Sequence, residues 1–182
     1  MDEKTLLRLV TTRFEEIDIA YMVTGAVAVS YYGVPRATHD IDLVVAVSSR
    51  EAEKVSGRFH NDFYVSDILE AIRHRQMFNL IDQTSQIKVD CWVLDAEDAY
   101  HRVAFERRQR VPLWGKNVQM ISKEDLILSK LLWYKESQSD VHLNDIKGIL
   151  RVQAASINNP YIAEWAKRLS VEKSWTRVTK EE

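Results

Sequence analysis

The sequence predicts an α+β fold, a small mixed sheet flanked by helices with a C-terminal helical bundle. Three observations carry this. Short apolar, β-branched runs at 19–23, 41–47 and 87–93 alternate with amphipathic stretches of helical period. Beyond residue 121 the period is helical throughout. The hydrophobic fraction of 46% over 182 residues supports a proper core, and the length suits one domain with a helical annex. The expected division is a sheet core over 1–121 and a helical subdomain over 122–182.

Each element has a local reason. Leu6, Val10, Phe14 and Ile17 form one stripe, which predicts a first helix over 6–17. A short strand, 19–23, leads into Thr24-Gly25-Ala26 and a small-residue helix running to Tyr32. Gly33 reads as a left-handed C-cap, and Pro35 blocks continuation. The run from Ile41 to Val47 reads as a buried strand. Ser48 and Glu51 have capping-box spacing for a polar helix. The stretch 66–75 reads as helix and 77–81 as strand. In 87–93, Ile87, Val89, Cys91 and Val93 take one face, and Lys88, Asp90 and Trp92 the other. A helix over 97–108 precedes a hairpin around Gly115-Lys116. Ser122 and Asp125 form a second capping box before Leu126-Ile127-Leu128. A helix over 141–153 and one opening at Asn159-Pro160 complete the bundle, and the polar tail after Val171 reads as frayed.

Composition excludes several function classes. A net charge of −2 gives no bulk case for gripping nucleic acid non-specifically. No apolar segment approaches the ~20 residues of a membrane span. Cys91 is the single cysteine and has no internal disulfide partner, so a buried thiol in a reduced, cytoplasmic setting is expected. The N-terminus, Met1-Asp2-Glu3-Lys4, is unlike a signal peptide.

The chemistry concentrates at Asp40-Ile41-Asp42, at the mouth of the apolar strand. Alternation puts both carboxylates on one face. At ~4 Å and an effective dielectric of ~20 their repulsion is on the order of 4 kcal/mol, and a divalent cation is the usual compensation. Thr24-Gly25-Ala26 is a strand-to-helix turn whose free N–H groups suit phosphate, although tight packing of a small-residue helix on a sheet gives the same pattern. Asp90 interrupts an apolar strand. If that strand lies beside the one carrying Asp40, three carboxylates share one locus, an arrangement suited to two-metal phosphoryl transfer; otherwise Asp90 sits on a solvated face.

Taken with Gly33-x-Pro35-Arg36-x-Thr38-x-Asp40-Ile41-Asp42-Leu43, the glycine turn resembles the signature of the polymerase-β-type nucleotidyltransferase superfamily. The closest resemblance is to minimal bacterial members, including toxins of abortive-infection systems. It covers about residues 20–150. Asp90 in Lys88-Val89-Asp90-Cys91-Trp92 matches the third carboxylate, Lys130 the nucleotide-contacting lysine, and Asn144-Asp145-Ile146 the late aspartate motif. Two departures stand out. Ala26 replaces a second glycine or serine, keeping the N–H and losing a hydroxyl, and Lys135 stands where toxins often carry arginine.

The resemblance implies a nucleotidyltransferase fold over 1–121 and transfer of a nucleoside monophosphate from an NTP, such as ATP, to an acceptor hydroxyl. Asp40, Asp42 and Asp90 would be catalytic and hold two Mg²⁺ ions, with Mn²⁺ as a substitute. Thr24, Gly25, Ala26, Arg36 and Lys130 would hold the nucleotide. The acceptor is left as an RNA 3′ end, a protein or a small molecule, with a protein partner in a toxin–antitoxin setting as a further expectation. Lys130 reads equally as a snorkelling helix lysine, Arg36 as a loop brace and Asp145 as a surface aspartate. Arg102, Arg107, Arg108 and Arg110, with Lys116 nearby, are a basic cluster able to steer RNA or simply a solvated face. His39 reads as a loop residue, since aspartates alone suit magnesium. Nucleotide-sugar glycosyltransferases also use Asp-x-Asp, but need a larger nucleotide-binding half before it than 39 residues allow. A retained fold acting only as a binding module is the non-enzymatic alternative.

Overall fold

The computed structural model describes residues 1–38 and 40–180; His39 lies outside the described residues. The chain forms two compact units, Met1–Val27 with Ala37–Met120, and Ala28–Arg36 with Ile121–Glu182. The passage from one to the other falls inside a helix, α2, described below.

In the first unit, α1 (Glu3–Glu16) is capped by Asp2, whose carboxylate accepts from the Thr5 N–H. Its stripe of Leu6, Leu7, Val10 and Phe14 is buried, as the period requires. There follow β1 (Ala20–Val23), α2 (Gly25–Tyr32), β2 (Asp40–Ala46), α3 (Ala52–Phe59), β3 (Phe63–Val65), α4 (Ile68–His74), β4 (Met77–Asp82), β5 (Lys88–Val93), α5 (Ala99–Glu106), β6 (Gln109–Leu113) and β7 (Lys116–Met120). The strands form one mixed sheet in the order β3-β4-β5-β2-β1-β7-β6. The central strands β2 and β5 run parallel, with Asp40 opposite Lys88 and Asp42 opposite Asp90. Strand β1 lies antiparallel to β2, from Ala20 opposite Ala46 to Val23 opposite Leu43. Ile41, Leu43, Val45, Val89 and Cys91 are fully buried on the shared inner face, and burial pushes the Cys91 thiol up, so it stays protonated.

The sequence offers no signal for β3, which is only three residues long, too short to show a period. Two neighbouring expectations shift. The Ser48–Glu51 pairing forms, with Ser48 N–H and Oγ donating to Glu51 Oε2 at 2.9 and 2.7 Å, but in the turn before α3. The β6–β7 hairpin turns on Trp114-Gly115, both at positive φ, one residue earlier than Gly115-Lys116.

The second unit is helical: the later part of α2, then α6 (Lys123–Ser137), α7 (Asp140–Gln153), α8 (Asn159–Arg168) and α9 (Glu172–Lys180), with a 3₁₀ turn at Ala154–Ser156. Helix α6 is central. Leu126, Ile127, Leu128 and Leu131 are buried around its circumference, because α7, α8 and α9 all pack on it. Ser122 caps it, accepting from the Asp125 N–H at 3.1 Å. The cap of α8 is Asn158, accepting from the Tyr161 N–H, one residue before the expected Asn159. Residues 172–180 are not frayed but form α9. Trp175 and Val178 of α9 are buried among α6, α7 and α8, a pairing hidden by the helix's polar composition.

Gly33 is also corrected. Among the described glycines only Gly25 and Gly115 have positive φ. Gly33 serves close packing: a Cβ there would meet the Ile149 backbone nitrogen at 2.8 Å. Backbone cannot give way as a side chain can, so Gly33→Ala is expected to cost about 1–3 kcal/mol. A urea melt of the variant matching wild type would show that α7 yields at this point.

Candidate active site

The carboxylates come together by register. Asp42 and Asp90 are direct neighbours on parallel β2 and β5, so their side chains share a face, and Asp40 lies two residues before Asp42 on that face. Asp90 is buried, at 7% exposure, and both its oxygens are engaged. Asn79, opposite it on β4, donates Nδ2 to Oδ1 at 2.6 Å. The Lys88 ammonium lies 2.9 Å from Oδ2 and also 3.8 Å from Asp40 Oδ1. The Asp90 hydrogen bond, with the charges of Asp90, Asp40 and Asp42, holds the Lys88 ammonium above the ordinary lysine range.

The glycine turn is built onto these aspartates. The Thr24 N–H donates to the Asp42 carbonyl at 3.0 Å, which sets the end of β1 against β2. Gly25 opens α2 with φ 62°, and a Cβ there would collide with the Asp42 carboxylate. Both facts exclude a larger residue. Ala26, the departure from the family pattern, is buried.

Lys88 and Asn79 had no assigned role in the sequence. Lys88 was legible in principle, two residues before Asp90 on the same strand face. Asn79 was not, since only the β4–β5 register places it beside Asp90.

Arg36 and Lys130 lie in the second unit, together on Asp145. Arg36 Nε and Nη2 donate to Asp145 Oδ1 and Oδ2 at 2.9 and 3.3 Å, and Lys130 Nζ stands 3.0 Å from Oδ2. Lys130 and Asp145 are buried, at 6% and 5% exposure, so neither the snorkelling lysine nor the surface aspartate describes them. The reason is nonlocal: α7 packs on α6 and brings an acid to the lysine. Burial, then the Lys130 charge, pushes the neighbouring His142 imidazole down from its ordinary value. Its buried Nδ1 has no hydrogen-bond partner among the described residues. Lys135 donates to the Leu169 carbonyl at 3.1 Å.

The arginine cluster divides. Arg102 donates to the Ala96 carbonyl, while Arg108 donates to the Phe105 carbonyl and stacks on the Phe105 ring. Arg108, Arg110 and Lys116 line a cleft of about 410 Å³ with Glu15, Ala20 and Tyr21. Lys116 is already engaged by Glu15 and Thr12, at 2.9 and 2.7 Å. The cleft lies at the Ala20 end of β1, whereas the turn at Thr24 and Asp42 lies at the other.

Among the described residues no group of three or more His, Cys, Asp or Glu is arranged to hold a metal ion as it stands. The donor set nevertheless fits a hard cation. It is all oxygen, and a lysine ammonium already stands against two of its members.

No protein-family model and no curated protein sequence matches this chain. Solved structures do. An antigenic nucleotidyltransferase-like protein from Paracoccidioides brasiliensis aligns with TM-score 0.62 and 19% identity, over 97% of this chain and 91% of that one. The antibiotic-resistance factor ANT(2'')-Ia aligns with TM-score 0.62 and 14% identity, over 96% and 97%. The lincosamide antibiotic adenylyltransferase LnuA, solved with lincomycin, gives 0.56 and 14%, over 84% and 98%. At these identities the agreement is one of architecture, and the chain has the nucleotidyltransferase fold.

Proposed function

We propose that the chain is a metal-dependent nucleotidyltransferase, moving a nucleoside monophosphate from an NTP to an acceptor hydroxyl with release of pyrophosphate. The observation that carries this reading is the pairing of Asp42 with Asp90 beneath a glycine turn packed on the Asp42 carboxylate, within this fold.

Asp40, Asp42 and Asp90 would hold two Mg²⁺ ions, or Mn²⁺ in their place, which when bound supply Lewis-acid polarisation of the phosphoryl oxygens. The N–H groups at the start of α2, from Gly25 and Ala26, would donate to phosphate oxygens, aided by the helix dipole. The packing of Gly25 on Asp42 ties the phosphate turn to the carboxylates. Asp90 would take the proton of the acceptor hydroxyl through Oδ2, while Asn79 keeps the carboxylate oriented through Oδ1. Thr24 positions the turn through its bond to the Asp42 carbonyl. Arg36 and Lys130 belong to the nucleotide-binding proposal through the family resemblance alone; the ion pairs on Asp145 give each a structural task as well.

For the acceptor, two neighbours point to small molecules: LnuA was solved with lincomycin, and ANT(2'')-Ia has been solved with adenylyl-2''-tobramycin. We favour a small hydroxyl-bearing acceptor on this ground.

The test is incubation of the purified chain and Mn²⁺ with each of four labelled NTPs and with cellular small-molecule, RNA and protein fractions. Label from one NTP is expected in the small-molecule fraction. Label in RNA or protein would reassign the acceptor. No transfer in any fraction, with a melting temperature indifferent to Mn²⁺ and NTP together, would replace the enzyme with a binding module.

A further inference from the structure

Among the described residues, Lys88 is the charged residue at the carboxylates that the proposed reaction leaves without a task. We propose that Lys88 is a tethered counter-cation, which a divalent ion must displace from Asp90 and Asp40, so that this lysine sets the metal affinity of the site. The inference rests on the nucleotidyltransferase reading.

Register supplies the position. Lys88 and Asp90 alternate on one face of β5, and Lys88 stands opposite Asp40 on β2. The ammonium therefore meets Asp90 Oδ2 at 2.9 Å and Asp40 Oδ1 at 3.8 Å, against oxygens that a metal would need. A buried carboxylate needs a charge partner, and here the chain provides its own. The arrangement is also reversible. The Lys88 side chain is 35% exposed on a flexible four-carbon stem, so the ammonium has solvent to retreat into. The Asn79 bond to Oδ1 holds Asp90 in place while Oδ2 is released. Two cations on one carboxylate oxygen repel, so lysine and metal compete.

Calorimetric titration of MnCl₂ into wild type, Lys88→Met and Lys88→Arg, without nucleotide, decides the matter. Methionine keeps the stem and removes the competitor, so Mn²⁺ should bind tighter, by on the order of tenfold. Arginine, with its bidentate fork, should hold Asp90 harder and weaken Mn²⁺ binding. The arginine variant keeps the counter-charge and so serves if the methionine variant fails to fold. Equal or weaker binding by Lys88→Met, or equal or tighter binding by Lys88→Arg, overturns the proposal while wild-type Mn²⁺ binding leaves the enzymatic reading standing. If no form binds Mn²⁺ at millimolar concentration, this proposal falls, and the transfer assay with Mn²⁺ and NTP together decides the enzymatic reading.

Discussion

Replacing Asp90 with asparagine is expected to lower nucleotidyl transfer by about 10²–10⁴-fold, the usual weight of a positioned proton acceptor. The substitution is close to isosteric. The Oδ1 atom still accepts from Asn79, so β4 and β5 keep their register. What is lost is Oδ2, which becomes an amide nitrogen facing the Lys88 ammonium at a site now 2.9 Å from it. That nitrogen takes no proton and binds no cation. NTP binding through the turn at Gly25 should persist, because Asp90 does not touch it. The check is a turnover assay beside calorimetric NTP affinity. Unchanged turnover in Asp90→Asn would remove Asp90 from the chemistry and leave it a structural partner of Asn79 and Lys88. Loss of NTP affinity as large as the loss of turnover would show a nucleotide-binding residue instead.

Asp145→Ala is expected to destabilise the helical unit strongly. The carboxylate is 4% exposed and serves both the Lys130 ammonium and the Arg36 guanidinium. Removing it strands Lys130, itself 7% exposed, as a buried positive charge. Breaking a buried pair from one side typically costs about 3–5 kcal/mol, most of it the uncompensated charge. Arg36 is more exposed, at 38%, and can turn to water, so Lys130 carries most of the penalty. Adding Lys130→Met to Asp145→Ala should therefore recover much of the loss, since a matched apolar pair has no charge to strand. Denaturant melts of wild type, the two single variants and the double variant form a complete cycle. Additive losses would mean that the two side chains do not depend on each other, and an Asp145→Ala melt close to wild type would mean that water reaches Lys130.

Local pattern alone determined the elements that position the candidate site. The β-branched run after Asp40 made β2 a core strand, alternation put Asp40 and Asp42 on one face, and Thr24-Gly25-Ala26 marked the turn into α2. These are properties of consecutive residues, written in a period of two or a change of period. Everything that required two distant segments was decided by the tertiary structure. Asp90 became the neighbour of Asp42 only when β5 paired with β2 in the observed register. A shift of one residue would have turned it to the opposite face. The same register set Lys88 against Asp40 and Asn79 against Asp90, so a repulsion expected to need a metal is already offset in part by the chain's own lysine. Lys130 found Asp145 because α7 packs on α6, Gly33 was needed for the approach of α7, and the polar α9 was ordered by burying Trp175 and Val178. Such pairings depend on which surfaces meet after the chain has folded, and no window of neighbouring residues contains both partners.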